Sequence, residues 1–259
     1  MKLALANLKG GVGKTTTAVN LAAAFGRSGL SVLLIDLDPQ ASASFSLGVP
    51  RAEVEASAAE VMAGEVPAAG AILETPFEGV HLLPGSLRLA GSDLAFAREE
   101  DADKLLKRAL APLRRRFDVV VMDCPPGLSI FTVNALAASD TFIVPVVPHR
   151  LDVEALSGFL EAVDSTRSRI GRKADLLGIL PTMVDHRTQV TDEVVAALRK
   201  TYGSAVFRTE IPINVRLAEA PGEGRPIFDF ASWSTGAFAY GRLGAEVLRR
   251  ARKAGLLLS

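Results

Sequence analysis

The chain has 259 residues, 49% of them hydrophobic and 22% charged, with no formal net charge. This balance suits a soluble globular protein and excludes one that coats nucleic acid over its whole surface. One cysteine, Cys124, leaves no intrachain disulfide framework and no multi-cysteine metal cluster.

No apolar run approaches the ~18 residues that a membrane span needs. Met1 to Leu8 is too short for a secretory leader, so the expected compartment is the cytoplasm. The charge is uneven: from Arg187 onward Lys and Arg outnumber Asp and Glu, which permits a local anionic partner. Residues 1–259 are expected to form a single domain.

Leu3 to Leu8 reads as a short buried strand and Thr17 to Phe25 as a helix. Between them stands Lys9-Gly10-Gly11-Val12-Gly13-Lys14-Thr15-Thr16, so the glycines fall at a strand-to-helix turn. Residues without Cβ let successive backbone N–H groups point into one concavity, and the following helix adds its positive dipole end. Such a loop holds phosphate. Lys14 is spaced to reach the β- and γ-phosphates of a nucleotide, and the Thr15 hydroxyl to ligate Mg²⁺. The general pattern has a glycine five residues before Gly13. This chain has Leu8 there, and next to it Lys9, a second lysine at the mouth of the loop.

Ser31 to Asp36 is the next buried strand, and it runs into Asp36-Leu37-Asp38-Pro39-Gln40. A strand, helix and strand of these lengths make a unit with parallel strands whose carboxyl ends share one edge. Asp36 and Asp38 then lie beside the phosphate loop, where a carboxylate can orient a water or hold the hydration shell of Mg²⁺. Either one alone also suits a turn or helix cap. Residues 52–63 and 95–113 read as helical and Val80 to Leu83 as a strand, and no chemistry is assigned between Ala41 and Arg116.

Phe117 to Met122 is a third buried strand, delivering Asp123-Cys124-Pro125-Pro126-Gly127. Asp123 supplies a second carboxylate for the metal, usually through water, and the prolines stiffen a loop able to sense a γ-phosphate. Cys124 reads as a packed thiol, with no histidine close in sequence to activate it. A helix over 130–138, a strand over 141–147, a helix over 153–168, a strand over 176–180 and a helix over 191–202 follow. A strand over 206–211 then leads into Pro212 and Asn214, and the tail over 234–253 is helical. This alternation predicts a doubly wound α/β fold, a mostly parallel sheet flanked by helices, with its site at the strands' carboxyl ends.

The form Lys-Gly-Gly-x-Gly-Lys-Thr-Thr resembles the deviant Walker A loop of the ParA/MinD P-loop ATPases. DLDPQ, DCPP and the Asn214-Val215-Arg216-Leu217 run extend the resemblance to the ParA/Soj branch over nearly the whole chain. The resemblance implies an ATP- and Mg²⁺-dependent homodimer in which Lys9 crosses to the partner's nucleotide and Asp38 is needed for hydrolysis. Intrinsic turnover is then slow. Pro212 and Asn214 match adenine-side contacts, and they equally suit a strand terminator and a helix N-cap. Arg187 and Arg216 match arginines that touch DNA phosphates without reading sequence.

It implies further a nucleoid-associated switch that binds nonspecific double-stranded DNA and releases it when a ParB-like centromere-binding partner stimulates hydrolysis. Because the chain begins directly with its first strand, the short form without an N-terminal DNA-reading domain is expected. Ile213 stands where an arginine is usual, Trp233 lies in a segment that lacks the usual basic residue before Gly236, and Pro148-His149-Arg150 replaces a Glu-Tyr pair. The first two remove phosphate-facing charge, and fewer contacts mean weaker, less salt-sensitive binding. The alternative is a MinD-like or orphan ParA ATPase that positions a protein or membrane cargo. For a membrane anchor, Arg249 to Lys253 followed by Leu256-Leu257-Leu258 offers little apolar area. An electron carrier of the nitrogenase-reductase kind needs two cluster cysteines, and a tyrosine kinase of the same superfamily needs a tyrosine-rich tail. Neither fits one cysteine and two tyrosines.

Overall fold

Apolar runs rich in Val, Leu and Ile pair into one seven-stranded sheet in the computed structural model, which describes residues 1–171 and 174–257. The strands are β1 (Lys2–Leu5), β2 (Val32–Asp36), β3 (Leu73–Glu74), β4 (Val80–Leu83), β5 (Val119–Asp123), β6 (Thr141–Val146) and β7 (Asp175–Pro181). Their spatial order is β3-β4-β2-β5-β1-β6-β7. Every pairing is parallel except β3 with β4. The principal helices are α1 (Lys14–Gly26), α2 (Ile130–Ala138), α3 (Arg150–Ile170), α4 (Gln189–Tyr202), α5 (Val215–Glu219) and α6 (Thr235–Lys253).

Helices on both faces explain why β2, β5 and β6 are buried at every position and read as continuous apolar runs. On one face Leu21 and Phe25 of α1 join Leu243 and Val247 of α6 over Leu5, Leu34 and Val121. On the other, Phe131 of α2 and Leu156, Phe159 and Val163 of α3 cover Ile35, Met122 and Val144. Each such side chain contributes about 1.5–3 kcal/mol by leaving water. A hydrogen bond between the buried Thr17 and Tyr240 hydroxyls, 3.1 Å long, fixes α1 against α6. The chain proceeds from β1 toward β2 on one side and places β6 and β7 on the other, so the crevice beyond β1 is the topological switch point.

Several predicted boundaries move. The first strand ends at Leu5, and Leu8 is exposed, because the Asn7 amide donates to the Pro145 carbonyl and its oxygen accepts from the Lys9 N–H, turning the chain outward. The predicted helix over 95–113 breaks into short helical pieces, Ala102–Lys104, Leu105–Ala109 and Ala111–Leu113, after a helix at Arg88–Phe96. Asp101 takes a left-handed backbone, and Asn134 of α2 captures the Leu106 N–H and the Ala102 carbonyl.

The predicted strand over 206–211 is replaced by two isolated bridges, Ile179 to Val206 and Val184 to Pro212. Two causes combine. Pro181 and Pro212 have no N–H to give, and the buried Glu246 carboxylate takes the Arg208 and Thr209 N–H groups away from the ladder. At the tail, α6 ends at Lys253 and Leu257 packs back on the core, while Leu258 lies outside the described residues. No helix among the described residues is long and apolar enough to cross a membrane.

Candidate functional site

The phosphate-type loop sits at the switch point, between β1 and α1. Gly13 precedes α1 at φ +84°, a left-handed backbone that favours glycine, and the Thr182 hydroxyl donates to the Val12 carbonyl at 2.9 Å. Gly10 and Gly11 are exposed, and Thr15 and Thr16 occupy the first turn of α1, half-buried. Lys14 is buried, with its ammonium folded back to donate to the Lys9 carbonyl at 2.9 Å. Burial lowers its pKa, while the charge of Asp123 works in the opposite direction. The loop thus curls around the lysine head.

Two carboxylates face this loop from adjacent strands. Asp36 ends β2 and Asp123 ends β5, directly opposite each other in the parallel register, and both are fully buried. Asp36 is well bonded: Oδ1 accepts from the Asp38 N–H at 3.1 Å, and Oδ2 from the Ser44 N–H and hydroxyl at 2.8 Å each. Burial still pushes its pKa up to about 6. Asp123 has no hydrogen-bond partner for either oxygen. Burial first, and the Asp36 charge second, hold its pKa well above the usual carboxylate range, with the Thr15 side chain beside it partly offsetting the rise. A buried carboxylate with two idle oxygens, next to a threonine hydroxyl and a lysine, is poised for a cation. Among the described residues no group of three or more His, Cys, Asp or Glu could hold a metal unaided. That pattern fits Mg²⁺, which keeps waters and takes phosphate oxygens beside one or two protein ligands.

Asp38 lies half-buried just beyond, its carboxylate accepting from the Gln40 N–H at 2.8 Å. Two residues missed by sequence reasoning build this corner. Ser44 clasps Asp36, and its hydroxyl also accepts from the Gly85 N–H at 3.0 Å. Gly85 itself leaves no room for a Cβ, which would stand 2.9 Å from the Asp36 carboxyl carbon. The Ala-Ser-Ala-Ser run after Gln40 and the Pro84-Gly85 pair were the available signals. Cys124 is buried with its thiol pKa raised, a packing residue and not a nucleophile.

A mostly apolar cavity of about 510 Å³ opens beside Gly13 and Thr16, lined by Met183, Pro212, Ile213 and Asn214. Its position and apolar lining suit an organic ring. Asn214 is already engaged: its oxygen accepts from the Leu217 N–H at 3.3 Å, capping α5, and its amide donates to the Thr235 hydroxyl at 2.7 Å. Arg187, on the loop before α4, and Arg216, in α5, belong to segments tied together by the Val184 to Pro212 bridge. Both are paired in cis. Arg187 forks onto Asp185 at 2.7 and 2.8 Å, holding that carboxyl down at about 2, and Arg216 contacts Glu219 at 2.6 Å while lying over the Trp233 ring. Ile213, Val215 and Trp233 are exposed around Arg216.

Sheet order, loop and strand-end carboxylates together define a P-loop nucleoside-triphosphate protein of the two-lysine kind. A family model described as an AAA domain matches residues 1–176. The chain is 45% identical to the chromosome-partitioning ATPase Soj of Thermus thermophilus over 253 residues, covering 98% of this chain and 97% of that protein. It is 37% identical to the sporulation initiation inhibitor protein Soj of Bacillus subtilis, covering 95% and 97%. Among solved structures it is similar to a Mycobacterium smegmatis protein described as cobyrinic acid a,c-diamide synthase with bound ATP analog and magnesium, with a TM-score of 0.85, 36% identity and coverage of 98% and 96%. The chain belongs to the Soj/ParA family of chromosome-partitioning ATPases.

Proposed function

We propose that this chain is an ATP-operated partitioning switch, a single-domain ATPase that dimerises on ATP and Mg²⁺, holds nonspecific double-stranded DNA, and releases it on hydrolysis. The observation that carries the reading is the orphaned, fully buried Asp123 carboxylate facing Lys14 and Thr15 across the glycine loop. Lys14 and the N–H groups of Gly10 to Thr16 bind the triphosphate, and the cavity by Pro212 and Asn214 takes the adenine. Thr15, Asp123 and Asp36 are the residues that would hold Mg²⁺, which would supply charge neutralisation at the phosphates. Asp38, half-buried at the mouth, orients the attacking water. Lys9 of each protomer reaches the other's nucleotide.

In the dimer, symmetry doubles the contacts of Arg187 and Arg216, so ATP controls DNA binding without either arginine touching nucleotide. Slow intrinsic turnover, a ParB-like partner that completes hydrolysis, and a cytoplasmic, nucleoid-associated location belong to this reading. Amide synthesis, suggested by the name of the mycobacterial neighbour, finds no activated thiol in the buried Cys124.

A second reading is favoured by the exposed Ile213, Val215 and Trp233 next to Arg216. An apolar patch there suits a protein or membrane cargo better than phosphate. Retention of plasmid DNA and of anionic liposomes, with and without ATP, decides between them. The partitioning reading expects ATP-dependent DNA retention that Arg216→Glu abolishes on all sequences alike. Liposome retention, or no DNA retention at low salt, contradicts it.

A further inference from the structure

Asp152 is the third residue of α3. Its side chain is only 7% exposed, and Oδ1 accepts from the Lys9 ammonium at 2.5 Å. Oδ2 has no hydrogen-bond partner, and His149 Nδ1 lies 3.7 Å from it. Lys9 itself is 57% exposed, so an ammonium at the open mouth of the loop leans inward onto a buried carboxylate. Its backbone is held as well, the N–H by Asn7 Oδ1 and the carbonyl by the Lys14 ammonium.

One ammonium cannot serve this carboxylate and a nucleotide on another protomer at once. Withdrawing it leaves Asp152 without its cation, a cost that the anion receiving the lysine must offset. A nucleoside triphosphate with its extra terminal charge is such an anion, and a diphosphate is a weaker one.

We propose that Asp152 is a positioning residue that holds Lys9 in cis, so that dimerisation proceeds only when the partner's nucleotide carries enough charge to draw the lysine away. This rests on the reading above that Lys9 crosses between protomers. A pair with one exposed member is worth ~0.2–1 kcal/mol, or roughly 1.4- to 5-fold. Two pairs break per dimer, so the expected effect of Asp152→Asn is the square, a dimer tighter by about 2- to 25-fold.

The test uses the full chain. Sedimentation with Mg²⁺ and a slowly hydrolysed ATP analogue, or with ADP, gives the dimer constant. Acetylation of Lys9 in the nucleotide-free monomer, read by mass spectrometry against Lys200, reports whether the lysine is held. Asp152→Asn is expected to tighten the dimer, to narrow the preference for the triphosphate over ADP, and to speed acetylation of Lys9 but not of Lys200. Asp152→Glu, which keeps the carboxylate, is expected to restore slow labelling. Unchanged labelling, or labelling that speeds up without tightening the dimer, overturns the proposal. Weakening of the dimer does so too, since it assigns Asp152 to a contact across the interface. Should Lys9→Ala dimerise like the wild type, the crossing of Lys9 fails, whereas a labelling difference in the monomer still establishes the cis contact, so the two failures are separable.

Discussion

Replacing Asp123 by Asn should stabilise the nucleotide-free protein while destroying its response to Mg²⁺. The carboxylate is fully buried, neither oxygen has a partner, and Asp36 stands opposite in the register. Leaving a polar group buried and unsatisfied costs about 1–3 kcal/mol, and more when it is charged. Removing the charge at nearly constant volume should therefore return about 2 kcal/mol, or roughly 4–8 °C in Tm for a chain of this size. The gain depends on pH. Asp36 and Asp123 both have folded-state pKa values raised above the ordinary 3.8, so the fold takes up protons there. Their favourable contribution is complete below pH 3.8 and is lost as pH rises through the folded values, about 6 for Asp36. The variant's advantage thus grows as pH rises from 4 toward 8. Differential scanning calorimetry across that range, with and without Mg²⁺-ATP, measures both effects. A nucleotide-free variant no more stable than the wild type at pH 8 would refute the claim that Asp123 is a strained, waiting ligand.

Ser44→Ala should lower stability by about 1–3 kcal/mol, because it strips one bond from Asp36 and leaves the Gly85 N–H unpaired. It should also move the pH midpoint of Mg²⁺-ATP binding upward, since a less solvated Asp36 holds its proton longer; titration calorimetry at pH 6 and pH 8 reads this, and an unmoved midpoint contradicts it. Lys14→Ala should remove measurable ATP binding, because the ammonium buried in the loop has no substitute there, and near-normal affinity would displace the phosphate site.

The sheet and the loop were legible because their signals are local and redundant. β2, β5 and β6 are continuous apolar runs buried on both faces, and each of β2 and β5 ends on an aspartate, so period and position agreed. The strand expected at 206–211 failed for a non-local reason: Glu246, some 37 residues on, competes for its N–H groups. The same holds for Ser44 and Gly85, whose importance comes from touching Asp36 across the fold and not from any spacing along the chain. Nor does sequence reveal that Lys9, Arg187 and Arg216 are each paired in cis to a carboxylate, since Asp152, Asp185 and Glu219 look like ordinary surface acids.

Whether ATP joins two chains through Lys9 is the central claim, and sedimentation of the wild type and of Lys9→Ala with Mg²⁺ and a slowly hydrolysed ATP analogue tests it most directly. The account predicts that the wild type shifts from monomer to dimer, while Lys9→Ala binds the analogue with near-normal affinity and stays monomeric. A variant that dimerises as readily as the wild type, or a wild type that remains monomeric at saturating analogue, would contradict it.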